Sequence, residues 1–177
     1  MKVPDHLVAE IVDGELFTSP RPAARHARAE SVIIRALDPF DRPPGDPGAF
    51  GGWWILVEPE LHFAQDVLVP DLAGWRQDRM PQIPDVAAFT LAPDWVCEVI
   101  SPSTGRLDRS RKMAVYAREQ IQHLWFVDPI LRTVEVYSWV EGRWLVAAIH
   151  DGDVTVRAEP FDAIEMDLTR WWLPPPP

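Results

Sequence analysis

The sequence predicts one mixed α/β domain, and three observations lead there. With 177 residues and 47% hydrophobic content, the chain can bury the core of one ordinary domain. Short runs with strand-like alternation recur between turns rich in Pro, Gly and Asp. Two segments, before Pro39 and at 106–119, carry helical spacing instead. No internal repeat or linker divides the chain, so residues 1–172 are expected to form the domain. The tail "LPPPP", residues 173–177, is expected to be extended and disordered.

The elements follow in order. "LVAEIVDGELF" reads as two short strands around Asp13-Gly14, a hairpin turn signal. "AARHARAESVIIRALDPF" spaces its apolar residues helically, beginning after Pro22 and ending near Pro39. "DRPPGDPGAFGG" is a loop, and "WWILVEPELHF" and "DVLVPDLAGW" are two strand-like runs separated near Gln65-Asp66. "RQDRMPQIPDVAAFTLAP" holds three prolines and reads as an irregular, flexible flap. A strand at 95–100, a turn at 101–105 and a helix at 106–119 come next. Three strands close the series, "HLWFVDP", "TVEVYSWV" and "RWLVAAI", with turns at Asp128-Pro129 and Glu141-Gly142.

Composition narrows the function classes. The N-terminal "MKVPDHLVAEIVDGELF" interrupts every apolar run with charge, so no secretory leader is expected, and no window approaches a membrane span. Cys97 is the single cysteine and has no internal disulfide partner, which suits the cytoplasm. A net charge of −10 opposes binding to phosphate backbones. The basic residues nevertheless cluster, in one window from Arg21 to Arg35 and another from Arg106 to Arg118. Arg25, Arg28 and Arg109 are the expected nucleic-acid contacts within them. A divalent cation at a carboxylate cluster would also invert the local field.

Two carboxylates interrupt apolar strand faces. Val67, Val69, Asp71, Ala73 and Trp75 would share one face of a continuous strand, and Val96, Glu98 and Ile100 one face of the next. An ionised carboxylate in such a setting costs on the order of several kcal/mol unless it is paired or metal-bound. Two on neighbouring strands could share one divalent cation. Asp108, Lys112 and Tyr116, at i, i+4 and i+8, line one helix face directly after Glu98's strand. The chain has only Lys2 and Lys112 against fifteen arginines. A compact ammonium kept at one internal position can orient or deprotonate an attacking water, or stabilise charge developing on a phosphodiester.

"PDLAGW", "CEVISPST", "D…K…Y" and "LWFVDP", with "DGELFTSP…H" upstream at 13–26, together resemble the Uma2-type putative restriction endonucleases, a branch of the PD-(D/E)XK nuclease superfamily. The resemblance spans roughly residues 8 to 150. It implies a restriction-endonuclease-like mixed central sheet flanked by helices, Mg²⁺ or Mn²⁺ dependence, and DNA as substrate. By the same resemblance Asp71 and Glu98 are the metal ligands. Lys112 stands in for the lysine usually found two residues after the glutamate, where this chain has Ile100. His26 is a supporting candidate that would orient substrate or a ligand.

Other residues take plainer readings. Ser101 and Ser103 are expected to cap backbone groups, and "ISPST" lacks the glycines of a serine-hydrolase elbow. Glu58, Glu60 and His62 would share a strand face as a second ligand set or, more simply, an exposed edge. The nine tryptophans point to a large aromatic core or to a homodimer contact. The competing function is a catalytically idle nuclease fold whose acidic surface binds a protein partner.

Overall fold

The computed structural model describes residue 4 and residues 6–174, so the expected tail lies outside the described residues from 175 onward. The chain opens with an antiparallel hairpin of β1 (Leu7–Val12) and β2 (Glu15–Pro20). Asp13 and Gly14 turn it with φ of 52° and 77°. Such a turn needs two left-handed residues, and Asp-Gly adopts them at little cost. Helix α1 (Ala24–Asp41) starts after Pro22 as expected but continues through Pro39. The proline sits in the last turn, where it forfeits one helical hydrogen bond. Its carbonyl accepts instead from the N–H groups of Phe50 and Gly51 at 2.7 and 3.1 Å.

The two strand-like runs that follow each divide between two sheets. β3 (Trp53–Val57) and β6 (Leu72–Arg76) join a six-stranded sheet, whereas β4 (Leu61–Phe63) and β5 (Asp66–Leu68) join the hairpin in a four-stranded sheet of order β2-β1-β5-β4. The chain crosses between sheets at Glu58, which has φ of 45°, and again at Val69-Pro70-Asp71. The continuous strand expected through Asp71 therefore does not exist. Pro70 has no N–H for a ladder, so pairing stops there and Asp71 occupies the bend before β6.

Downstream come β7 (Trp95–Val99), helix α2, β8 (His123–Asp128), β9 (Thr133–Val140) and β10 (Arg143–Asp151). Helix α2 runs as Gly105–Leu107, a π-helical segment Asp108–Lys112, and Met113–Arg118. The large sheet has the order β10-β9-β8-β7-β6-β3, and only β7 and β8 are parallel. Parallel neighbours need a crossover, which α2 supplies. β11 (Thr155–Val156), β12 (Met166–Asp167) and a 3₁₀ turn at Leu168–Arg170 complete the described chain.

Both faces of the large sheet are covered, which is why β7 is buried along its length. Trp95, Cys97, Val99, Trp125 and Val127 pack on one side against Ile33, Leu37 and Phe40 of α1 and against Phe161, Trp171 and Trp172. Val96, Ile100, Leu124 and Phe126 pack on the other against Val12, Leu61, Leu68, Val115 and Tyr116, from the small sheet and α2. Six of the nine tryptophans are buried, so the aromatic-core reading holds. Gly74 lets Trp53 and Trp95 close over β6, because a Cβ there would lie 3.3 and 3.2 Å from their rings. The segment expected to be a flexible flap is irregular but pinned. Trp54 Nε1 donates to the Met80 carbonyl and Trp75 Nε1 to that of Leu91, each at 2.8 Å, and Met80 and Phe89 are buried.

Candidate active site

Glu98 projects from β7 toward the small sheet and α2, the face its alternation predicts, and is 2% exposed. Its Oε1 lies 2.7 Å from Lys112 Nζ and also accepts from the Tyr116 hydroxyl. Lys112, likewise 2% exposed, lies 3.0 Å from Glu10 Oε1 and 3.5 Å from Asp108 Oδ1. Three buried carboxylates thus surround one buried ammonium.

The π-helical segment helps make this convergence. In an α-helix of 3.6 residues per turn, each step of four overshoots a full turn by about 40°. A π-turn holds more residues and corrects that drift. Met113 N–H reaches back to the Asp108 carbonyl, five residues away, and so marks the widened turn. Asp108, Lys112 and Tyr116 consequently stay aligned over Glu98 as the spacing predicts. Ser101 sets the entry to the helix: its Oγ accepts from Thr104 N–H at 3.2 Å, and the Ser103 hydroxyl lies 2.9 Å from it. Ile100 is buried in the core, packed against Gly105. The ammonium therefore comes from α2 and not from Glu98's strand.

Asp71 reaches the same pocket from its bend. Its Oδ2 accepts from Val99 N–H at 2.6 Å, and its Oδ1 lies 3.1 Å from His26 Nε2. His26 is buried on α1, and its Nδ1, 4.0 Å from Glu30 Oε2, has no hydrogen-bond partner among the described residues. The pocket has a volume of about 180 Å³, and its charged lining is Glu10, Glu58, Asp71, Glu98 and Asp108 against Arg21, His26 and Lys112.

This imbalance shows in the ionisation of the site. Burial pushes the Glu98 carboxyl well above the usual range; Lys112 opposes the shift, and Asp108, Asp71 and Glu10 add to it. Burial alone would lower the Lys112 pKa, but Glu98, Tyr116, Glu10 and Asp108 outweigh it and hold the ammonium charged. Glu30 is pushed up to about 7 by burial, with Asp71 and Glu58 adding to the effect. Burial works against protonation of His26, yet Asp71 and Glu30 raise it overall.

Among the described residues no three His, Cys, Asp or Glu groups cluster closely enough to hold a metal alone. Two carboxylates are nevertheless available. Each Asp71 oxygen carries one protein contact and has two lone pairs, and Glu98 Oε2 has no hydrogen bond among the described residues. Hard oxygen donors in an acidic pocket suit a cation that keeps several waters in its shell, as Mg²⁺ does.

Glu10 escaped the sequence reading, although Val8, Glu10 and Val12 carry the same signal that exposes Glu98. It is buried, and the Oε1 that meets Lys112 also accepts from Val69 N–H at 2.9 Å. The proposed second ligand set does not assemble. Glu60 and His62 form an exposed pair at 2.6 Å, whereas Glu58 faces the pocket and lies 3.6 Å from Arg21. Among the three arginines expected to meet nucleic acid, Arg25 is exposed and Arg28 half-buried on α1. Arg109 is held by both oxygens of Glu135, at 2.6 and 2.7 Å, and stacks over Phe126 at 5.0 Å.

Comparison with known proteins agrees with the motifs. No curated protein matches the chain. A crystal structure of a putative nuclease belonging to DUF820 from Anabaena variabilis ATCC 29413 superposes with a TM-score of 0.73 at 20% identity, over 92% of this chain and 88% of that one. That likeness establishes the shared fold. The Uma2 family model, described as putative restriction endonuclease, matches residues 3–169. Nearly the whole chain is covered by that match, and the protein belongs to the Uma2 family.

Proposed function

We propose that the protein is a metal-dependent endonuclease that hydrolyses DNA phosphodiester bonds. The observation that carries this reading is Lys112, buried and charged between Glu98 and Glu10 in the pocket that Asp71 also lines. Asp71 and Glu98 would hold Mg²⁺ or Mn²⁺. The bound cation would supply Lewis-acid activation and charge neutralisation at the phosphate.

The chain's own groups then have distinct tasks. His26 and the Val99 N–H fix the Asp71 carboxylate, and Tyr116 fixes that of Glu98. Lys112, kept protonated by its neighbours, acts as a fixed cation that stabilises negative charge developing on the scissile phosphate. A charged ammonium favours this role over that of general base.

The strand would approach along a groove continuous with the pocket. Ser19, Ser103 and Thr104 line both, and Arg106 and Arg111 line the outer part. Arg21 and exposed Arg106 are the nearest phosphate contacts. We assign Arg109 to holding the fold through Glu135. A field set by a net charge of −10 makes such binding weak and strongly salt-dependent.

Incubation of supercoiled plasmid with the protein and Mn²⁺ or Mg²⁺ tests the proposal. Nicked or linear product that disappears with a chelator is expected. Intact plasmid with a folded protein under both metals would refute it.

A further inference from the structure

The strand at one end of the large sheet, β10, leaves a long and mostly apolar edge open. β10 bonds only to β9, and among the described residues no backbone hydrogen bond outside that ladder involves residues 143–151. Its outer row of N–H and C=O groups is therefore open. Natural edges are usually blunted by lysine, proline, inward-pointing charge or a bulge. Residues 144–149 of β10 read Trp-Leu-Val-Ala-Ala-Ile, with no charge and no proline, so a single bulge is the one such device there. Leu145, Val146 and Ile149 are 41%, 55% and 63% exposed.

One bulge, between Val146 and Ala148, interrupts the ladder with β9. A bulge reverses the facing of the residues beyond it. Trp144, Val146 and Ile149 consequently lie on the side of α2, and Leu145 and Ala148 on the side of α1. Apolar side chains thus flank the open edge on both faces of the sheet.

The ends of the strand specify an occupant. Arg143 begins it and Asp151 ends it, with no other Asp, Glu, Lys or Arg between them. Arg143 has only a distant partner, Glu141 at 3.9 Å, and Asp151 has no ion pair among the described residues. An antiparallel copy of β10 would bring each Arg143 beside the other copy's Asp151. A parallel copy would set like charges together. Antiparallel pairing of a strand with itself is also the arrangement that closes under two-fold symmetry.

We propose that two copies of this chain join through antiparallel β10 edges, continuing the six-stranded sheet across the dimer axis. The inference rests on the sheet edge alone and stands apart from the nuclease reading. Val146 and Ile149 of each copy cover one face of the seam, Leu145 covers the other, and Arg143 and Asp151 close its two ends.

Sedimentation velocity on the full chain tests this. The parent should sediment as a dimer. The double variant Val146→Lys/Ile149→Lys, altered only at exposed positions, should be monomeric with an unchanged circular dichroism spectrum. Arg143→Asp alone and Asp151→Arg alone should each weaken the dimer, and an equimolar mixture of these two variants should restore it as a heterodimer. A parent that stays monomeric at every concentration would overturn the proposal. So would a dimer indifferent to both lysines, or a mixture that associates no better than its components; this last comparison holds even if the lysine variant fails to fold.

Discussion

Lys112 places its ammonium 2.7 Å from Glu98 Oε1, although it arrives from α2 and Glu98 from β7. The pair is embedded in the core, with Glu10 and Asp108 on the ammonium and Tyr116 on the carboxylate. A charge so buried serves the fold as well as the site.

Lys112→Met is therefore expected to cost stability as well as cleavage. Removing one partner of a buried ionic group typically costs about 3–5 kcal/mol, because the remaining charges are left uncompensated. Urea denaturation should show a loss of that order. Lys112→Arg should restore neither property fully, since a planar guanidinium does not fit a slot formed around a compact ammonium. Wild-type stability in Lys112→Met would mean that the cluster is not ionised as described.

Glu10→Gln tests the carboxylate that the sequence reading passed over. The amide oxygen can keep the bond from Val69 N–H, so the fold should persist. One of the negative charges holding Lys112 disappears, and supporting groups of this kind typically change activity about 10- to 100-fold. Plasmid cleavage at fixed Mn²⁺ should fall within that range. An unchanged rate would limit Glu10 to a structural part.

Much of this arrangement was legible in the sequence. The alternation of "DWVCEVI" places Glu98 on the correct face, and the Asp108, Lys112, Tyr116 spacing predicts their common face. Asp71 is placed in the pocket, but for a different reason from the one its pattern suggests. Pro70 ends one strand, and the apparent continuity of "DVLVPDLAGW" joins residues of two different sheets. Period-two alternation cannot reveal which sheet a strand enters. The C-terminal segment is held on the core by Phe161, Trp171 and Trp172 as isolated anchors, a role that no period-two or helical spacing marks.

Glu135 supplies a pH dependence away from the pocket. The two-pronged bond from Arg109 holds its carboxyl below the ordinary value of 4.5; burial opposes the shift and the Tyr137 hydroxyl reinforces it. A lowered folded-state pKa contributes stability above the unfolded-state value, and that contribution is lost as pH falls through the folded-state value. The pair is partly exposed, so its worth is about 1 kcal/mol or less. Urea midpoints of the parent and Glu135→Gln should differ at pH 7 and converge toward pH 3. A constant difference would contradict the assignment.

Arg106→Glu should weaken DNA binding while leaving stability unchanged, because Arg106 is exposed on the groove. Loss of one phosphate contact should reduce the slope of log affinity against log salt by about 1. Fluorescence anisotropy with a labelled duplex across a salt series measures both quantities. Equal slopes in the two proteins would move the DNA path elsewhere.

Plasmid nicking by Asp71→Asn and Glu98→Gln beside the parent, with Mn²⁺ present and circular dichroism confirming each fold, probes the nuclease reading at its centre. Both substitutions keep the size of the side chain and replace a carboxylate donor with an amide. The account expects an active parent and at least about 10²-fold less product from each variant, the scale on which removal of one active-site group is felt. A folded parent without activity, or variants that nick as fast as an active parent, would contradict it.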